Sequence, residues 1–320
     1  MSTVFHSGEI LIQTESGVEK RADKMGNKLI RDHIIDQHKE FFENLNYVFI
    51  ALHDRTGKPW VTFIQGPAGF IFSPNETTLN ISTKTIAQDE LGLQVWQGNA
   101  VGIVGLDLSN RRRNRLNGNF KHSEHDEKLS IKVGHSFGNC PKYIQLRNFE
   151  PYLATEKSLA DKKPGVRNNY EHIVELSEND VNLIEAADTL FIASSKQQHS
   201  DLDASHRGGN PGFVRVNDNK ELWFNDYPGN NFFQTFGNVQ NYSYVGLMFI
   251  DFDSGDLLLL SGQSRLEKVN DQSQVNESNF LPRRFHFTLE KGLRVKQAVN
   301  GTWSEVEMSP FLNKIEDQTG

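Results

Sequence analysis

A chain of 320 residues with a formal net charge of −7 and 37% hydrophobic residues is long enough for two domains, each burying its own core. The acidic balance excludes a protein whose main business is nucleic acid or an anionic membrane, because both need a strong basic excess. The single cysteine, Cys140, excludes an intramolecular disulfide and a cysteine-based zinc site, and it fits a reducing compartment.

The N-terminal stretch MSTVFHSGEILIQ has no basic region followed by a long apolar run, and no segment reaches the apolar length of a membrane span. A soluble, cytoplasmic protein is expected. From Lys28 to Asn46 the residues Ile30, Ile34, Phe41, Phe42 and Leu45 predict one helical face, followed at once by a strand from Tyr47 to Leu52. Short β-rich runs come next, separated by the turn signals HDRTGKPW, GPAG and SPNET, with strands at Val101 to Leu108 and Ser130 to Val133. The cluster of His122, Glu124, His125 and Asp126 reads as a loop rather than a metal site.

The polar stretch Glu156 to Asn169, with Pro164-Gly165, reads as a linker. Beyond it Ser177, with Asp180 three residues later, starts a helix before Val181, Leu183, Ile184 and Ala187. A strand at Thr189 to Ala193 follows, then the turns GGNPG, NDNK and DFDSGD around strands at Val245 to Phe252 and Asp256 to Leu260.

Helix then strand thus opens both halves, and the likeness goes further. Val48 to Ala51 recurs as Leu190 to Ala193, Gly69-Phe70 as Gly212-Phe213, and Val101 to Asp107 as Val245 to Asp251, at offsets of 142 to 144 residues. Asn117-Gly118 is matched by Ser261-Gly262, and Pro141 to Ile144 by Pro282 to Phe285. So long a period predicts two domains, residues 1–155 and 171–320 with a linker over 156–170, each a helix followed by a closed or nearly closed antiparallel barrel. The expected class is mainly β with helices, α+β.

Two stretches carry the chemistry. In SHRGGNPGF, Arg207 stands before Gly208 and Gly209, with Pro211 and Gly212 beyond. The glycines read either as a turn needing positive φ or as a backbone cradle that lets N–H groups approach an anion beside a guanidinium. The run Arg111-Arg112-Arg113-Asn114-Arg115 reads equally as a solvated turn face or as an anion-binding lip that the first half supplies to a site on the second. Cys140 in FGNCPKYIQ reads as structural, since no activating group is assignable, while Lys142 and Tyr143 suit ligand contacts or a strand end. No Walker loop, G-x-S-x-G elbow or H-E-x-x-H zinc motif occurs.

The motifs D-x-x-G-K-P-W, G-P-A-G-F, R-R-R-x-R-x-N-G, F-G-N-C-P-K-Y-I-Q and S-H-R-G-G-N-P-G-F resemble the pyridoxamine 5'-phosphate oxidase-related FMN-binding proteins, from about Phe5 to about Val299. The resemblance implies two tandem six-stranded-type split β-barrels forming a pseudo-dimer, with FMN at the interface between them. It departs from the vitamin B6 oxidase: the Arg-Leu-Ala-Pro terminus of that enzyme is replaced by Phe311 to Gly320, so the B6 reaction is not expected. The phosphate-gripping Ser-x-Lys segment is replaced by Asp226 to Asn231 without a lysine, leaving Arg207 as the candidate cation.

On that resemblance the FMN contacts are Ser205, His206, Arg207, Gly208, Gly209, Asn230, Asn231, Lys142 and Tyr143, with Phe232, Phe233 and Trp223 as an apolar wall. The first half has Gln65 to Gly69 where the second has Arg207 to Gly212, and so lacks the arginine. The implied protein is an oxidoreductase of unassigned substrate that takes electrons from a transiently bound NAD(P)H and can pair as a homodimer. The rival readings are a flavin- or haem-holding module without turnover and a degenerate barrel scaffold.

Overall fold

The computed structural model describes residues 3–83, 85–122, 128–152, 170–269 and 283–312. Residues 156–169 of the expected linker, Pro282, residues 123–127 of the His-acid cluster and the end of the chain from residue 313 lie outside them. Three helices open the chain: α1 (Ser7–Glu15), α2 (Glu19–Leu29) and α3 (Asp36–Glu43). The single helix expected from Lys28 to Asn46 is therefore the end of α2, an extended link and α3. Arg31 bridges to Ser136, and Ile30 and Ile34 are buried in different clusters. A spacing of four residues suits period-two alternation as well as a helical face, which is why the link reads as helix.

The first sheet contains β1 (Tyr47–His53), β2 (Pro59–Gln65), β3 (Ile71–Asn75), β4 (Thr78–Ile81), β5 (Ala100–Asp107), β6 (Arg112–Phe120) and β7 (Leu129–Gly138), in the order β2-β1-β5-β6-β7-β4-β3. A one-turn helix, α4 (Gln88–Leu91), and a short strand, β8 (Phe149–Pro151), complete this half. After β9 (Tyr170–Ile173) comes α5 (Glu178–Ala186), where Ser177 and Asp180 form the expected capping box. The second sheet holds β10 (Thr189–Gln197), β11 (Ser200–Gly208), β12 (Val214–Val216), β13 (Glu221–Asn225), β14 (Tyr244–Ile250), β15 (Leu257–Lys268) and β16 (Arg283–Val295), with helix α6 (Gln234–Asn241) between β13 and β14. Its order, β11-β10-β14-β15-β16-β13-β12, corresponds place by place to that of the first, and β9 pairs with β16. Both sheets are antiparallel. The ladder shifts register at Asn117/Gly118 in one and at Ser261/Gly262 in the other.

The sheets meet face to face about a near two-fold relation. Phe49 of β1 stacks on Phe191 of β10 with ring centroids 3.6 Å apart. Gly102 of β5 lies against residues 202–204 of β11, and Gly246 of β14 lies against residues 59–61 of β2. The apolar runs of β1 and β10 are buried on both faces, which explains their lack of alternation. Past β16 the chain returns to the first half, where β17 (Gly301–Trp303) pairs with β8 in a separate two-stranded sheet and Glu307 bridges to Leu146. No helix among the described residues is long and apolar enough to cross a membrane.

A Cβ on Gly246 would sit 2.6 Å from Trp60 Cα and 2.7 Å from Pro59 O, both backbone atoms that no rotamer change can move. Gly246→Ala is expected to cost about 2–3 kcal/mol in a urea melt by prising the sheets apart. Gly229→Ala, whose nearest new neighbour is 3.9 Å away, is expected to stay within about 0.5 kcal/mol of wild type.

Candidate functional site

A cleft, partly open to solvent, lies where the end of β6 and the segment after β7 face β11, the 226–233 loop and α6. The arginine run supplies one wall. Arg111 lies in a turn, donating to Ile144 O at 2.9 Å and to Glu307 at 3.1 Å, and exposed Arg112 lies over the Phe41 ring. Pairing of β6 with β5 and β7 imposes alternation, and Arg113 and Arg115 both line the cleft. Arg113 Nη2 donates to Cys140 O at 2.7 Å, and its Nη1 lies 3.3 Å from His206 Nδ1. Arg115 is buried, donating to Gln234 Oε1 and Asp203 Oδ1, each at 2.6 Å.

The opposite wall is β11. Ser205 accepts from the Thr235 hydroxyl at 3.1 Å, and His206 is 3% exposed with its ring against Phe191. A guanidinium only donates, so Arg113 fixes His206 as the tautomer with its proton on Nε2. Half-buried Arg207 donates to its neighbour's carbonyl, His206 O, and lies over the Phe236 ring.

The two glycines behave differently from either reading of them. Neither has positive φ; only Gly212 does, at 86°. The amides of Gly209, Gly212 and Phe213 already donate to Asp188, Glu185 and Asn210 carbonyls, so they form no anion cradle. Close packing requires the glycines instead: a Cβ on Gly208 would meet Tyr143 O at 1.9 Å, and one on Gly209 would meet the Phe213 side chain at 2.4 Å. The polar groups that this wall presents to the cleft therefore belong to side chains.

Of the residues expected to contact a ligand, Ser205, His206, Arg207, Gly208, Asn230, Asn231, Lys142 and Tyr143 all line the cleft, while Gly209 lies behind it. Phe233 is in the wall. Phe232 instead packs on Phe5, and Trp223 lies under Arg284, because β-strand and loop geometry turn both away. Tyr143 has φ of 61° and donates to Pro228 O at 3.0 Å, tying the two walls together. Gln145, fully buried, holds this segment by donating towards the carbonyls of Tyr143, Asp188 and Gly209 and accepting from the Ser309 amide. Sequence reasoning missed Asp226, Gln234, Thr235 and Phe236 as lining residues; α6 carries three of them, and no motif marks that helix.

The cleft is electropositive and incompletely satisfied. Arg113, Arg115 and Arg207 converge there with Lys142 at the rim, while Asp203 is already engaged by Arg115. Burial, then the neighbouring Arg207 and Arg115, push the Arg113 guanidinium down to about 9, still cationic at neutral pH. Burial, then Arg113 and Arg207, hold His206 well below the ordinary imidazole range, hence neutral. Burial pushes the Asp226 carboxyl up to about 7 against the pull of Arg207 and Arg283, so it offsets only part of the positive charge. Arg113 Nε, Arg115 Nε, Asn139 Oδ1 and His206 Nε2 are buried with no hydrogen-bond partner among the described residues. Such a set in one place is what a bound polar ligand or ordered water leaves behind.

These shifts set a pH dependence. Asp226 and Glu9, the latter pushed to about 8 by burial and then Asp203, bind protons more tightly folded than unfolded. Their contribution is full below an unfolded value of about 4 and is lost as pH rises through 7 to 8. His38 and His53, pushed to about 4 mainly by burial, act oppositely: their contribution is present above about 6.5 and lost below it. Between pH 6.5 and 8 the two acids dominate. Thermal melts are expected to show stability falling over that interval, and Asp226→Asn and Glu9→Gln each to flatten the fall.

Neither a protein-family model nor a curated protein matches the sequence. Among solved structures, a putative pyridoxamine 5'-phosphate oxidase from Lactobacillus delbrueckii is 15% identical, with a TM-score of 0.29 over 38% of this chain and 94% of its own. An FAD-binding protein from Mesorhizobium loti is 9% identical, with a TM-score of 0.27 over 39% and 97%. A protein of the pyridoxinephosphate oxidase family from Clostridium acetobutylicum, related to general stress protein 26 of B. subtilis, is 11% identical, with a TM-score of 0.27 over 39% and 87%.

Proposed function

We propose that the cleft holds FMN and that the chain is a flavoprotein oxidoreductase of two tandem split barrels, residues 1–155 and 171–320 joined through 156–170. The observation that carries the reading is the convergence of Arg113 and Arg207, which form no ion pair among the described residues, beside Arg115, whose charge Asp203 takes up, and an aromatic wall. A phosphate dianion would supply the missing charge, and planar guanidinium forks suit its oxygens. Arg113 from the first sheet and Arg207 from the second would hold the phosphate, with Lys142 at the rim. Ser205, Thr235, Asn230 and Asn231 offer hydroxyl and amide partners for a polyol chain, and Phe233, Phe236 and Tyr227 offer apolar surface for a flat ring.

When bound, the flavin would supply two-electron transfer between a reduced nicotinamide and an acceptor. The chain's own part is to bind, to orient and to exclude water: neutral His206 presents Nε2–H as a donor, and Arg113 keeps that tautomer in place.

The test is an absorbance spectrum of purified protein after incubation with excess FMN and desalting, followed by anaerobic addition of NADH or NADPH. Retained flavin bands that bleach with the nicotinamide support the proposal. Bands that persist unreduced by either donor identify a holding module instead, and a colourless protein removes FMN as the ligand.

A further inference from the structure

The near two-fold relation between the sheets offers two equivalent clefts, and only one has the chemistry of a site. Along the paired ladders, Arg113 stands opposite Leu106 where Leu257 stands opposite Ile250, and Arg115 stands opposite Val104 where Leu259 stands opposite Met248. On the other wall, His206 opposite Phe191 corresponds to Phe63 opposite Phe49, and Arg207 opposite Leu190 corresponds to Ile64 opposite Val48. The register thus aligns Arg207 with Ile64, which stands five residues before Gly69 as Arg207 stands five before Gly212, so Ile64 rather than Gln65 takes the arginine's place. Phe63, Ile64 and Leu259 are 0% exposed and Leu257 is 1% exposed, all within the largest core cluster. Gly208, which the Tyr143 carbonyl closes upon, is replaced there by Gln65, whose side chain clamps Asn300 through bonds of 2.6 and 2.9 Å.

Arg113, Arg115, His206 and Arg207 of the open cleft thus all have apolar, sealed counterparts in its mate. Burial of the four apolar side chains takes them out of water and stabilises the fold, whereas in the open cleft Arg113 and Arg207 repel one another, Asp203 being engaged by Arg115. One interface face serves cohesion and the other serves binding.

We infer that the chain carries one anion-ligand site rather than the two that its symmetry offers, and that a single chain completes that site because its walls come from both sheets. The inference rests on reading the cleft as a ligand site. It sets the stoichiometry at one ligand per chain and removes any need for a second chain to supply a residue.

Full-length protein at a concentration far above Kd would be titrated with FMN by flavin fluorescence, with the mass of the species measured by sedimentation. The expected end point is one equivalent per chain, unchanged on dilution to single chains. Arg113→Ala and Arg207→Ala, from different sheets, are each expected to weaken the whole equivalent as one class of site, with no fraction keeping wild-type affinity, and Leu257→Met in the sealed mate to leave it intact. Two equivalents per chain would overturn the inference, as would half an equivalent or an end point seen only in dimers. If wild type takes up no FMN, the flavin reading fails by itself, and calorimetric titration with inorganic pyrophosphate then counts the sites. One site lost in both arginine variants sustains the inference; two sites, or none, refute it.

Discussion

Arg207→Ala is expected to weaken FMN binding by about 10- to 150-fold while leaving the affinity for riboflavin, which lacks the phosphate, within about threefold of wild type. A charge-assisted hydrogen bond contributes about 1.5–3 kcal/mol, and 1.4 kcal/mol is a factor of ten. Among the described residues the guanidinium donates only to a carbonyl of its own strand, so few contacts are lost with it. Removing one of three converging cations also relieves repulsion, and the melting temperature without ligand is expected to hold or rise. The stabilisation that FMN gives, about 2.7 kcal/mol at a hundred times Kd, is expected to shrink in step with affinity. Equal losses for FMN and riboflavin would place Arg207 away from the phosphate.

Asp203→Ala is expected to have the opposite profile, a loss of about 3–5 kcal/mol in urea melts with or without ligand. Asp203 is 6% exposed and accepts from Arg115 Nη2 and Asn117 Nδ2 at 2.6 Å and from Asn238 Nδ2 at 2.7 Å. It joins the arginine strand of the first sheet to β11 and α6 of the second, and Asn238 carries the network on to His6 before α1. Without it Arg115 is a buried charge with no counter-ion, close to Arg113. The double variant Asp203→Ala with Arg115→Met removes both charges and is expected to recover a large part of the loss, giving a strong coupling energy in a double-mutant cycle. Additive effects would show that the pair is not what holds this junction.

The helices that sequence reasoning missed show where pattern runs out. In α1 the buried positions are Gly8, Glu9, Ile12 and Gln13, too polar to read as an amphipathic stripe. The reason is its partner: a Cβ on Gly8 would lie 2.1 Å from Gly237 O, so α1 and α6 meet backbone to backbone, and Gln13 donates to Phe232 O. By contrast α5 is legible from its capping box, and β1, β5, β10 and β14 from their apolar runs, because local propensity and burial agree there.

Sequence by itself determined the β-rich class, the ordered recurrence of blocks in the two halves and the two stretches in which cations gather, since apolar periodicity and turn chemistry are local properties of the chain. Tertiary structure decided which cations count. Arg113 and Arg115 look like a solvated turn until strand pairing on both sides of β6 imposes alternation and brings them into the cleft. Gly208 and Gly209 look like a turn until Tyr143 and Phe213 close on them. A side chain's partner across 93 residues of sequence, such as His206 for Arg113, is fixed only when two sheets pack, because non-local contacts leave no periodic signature in the chain.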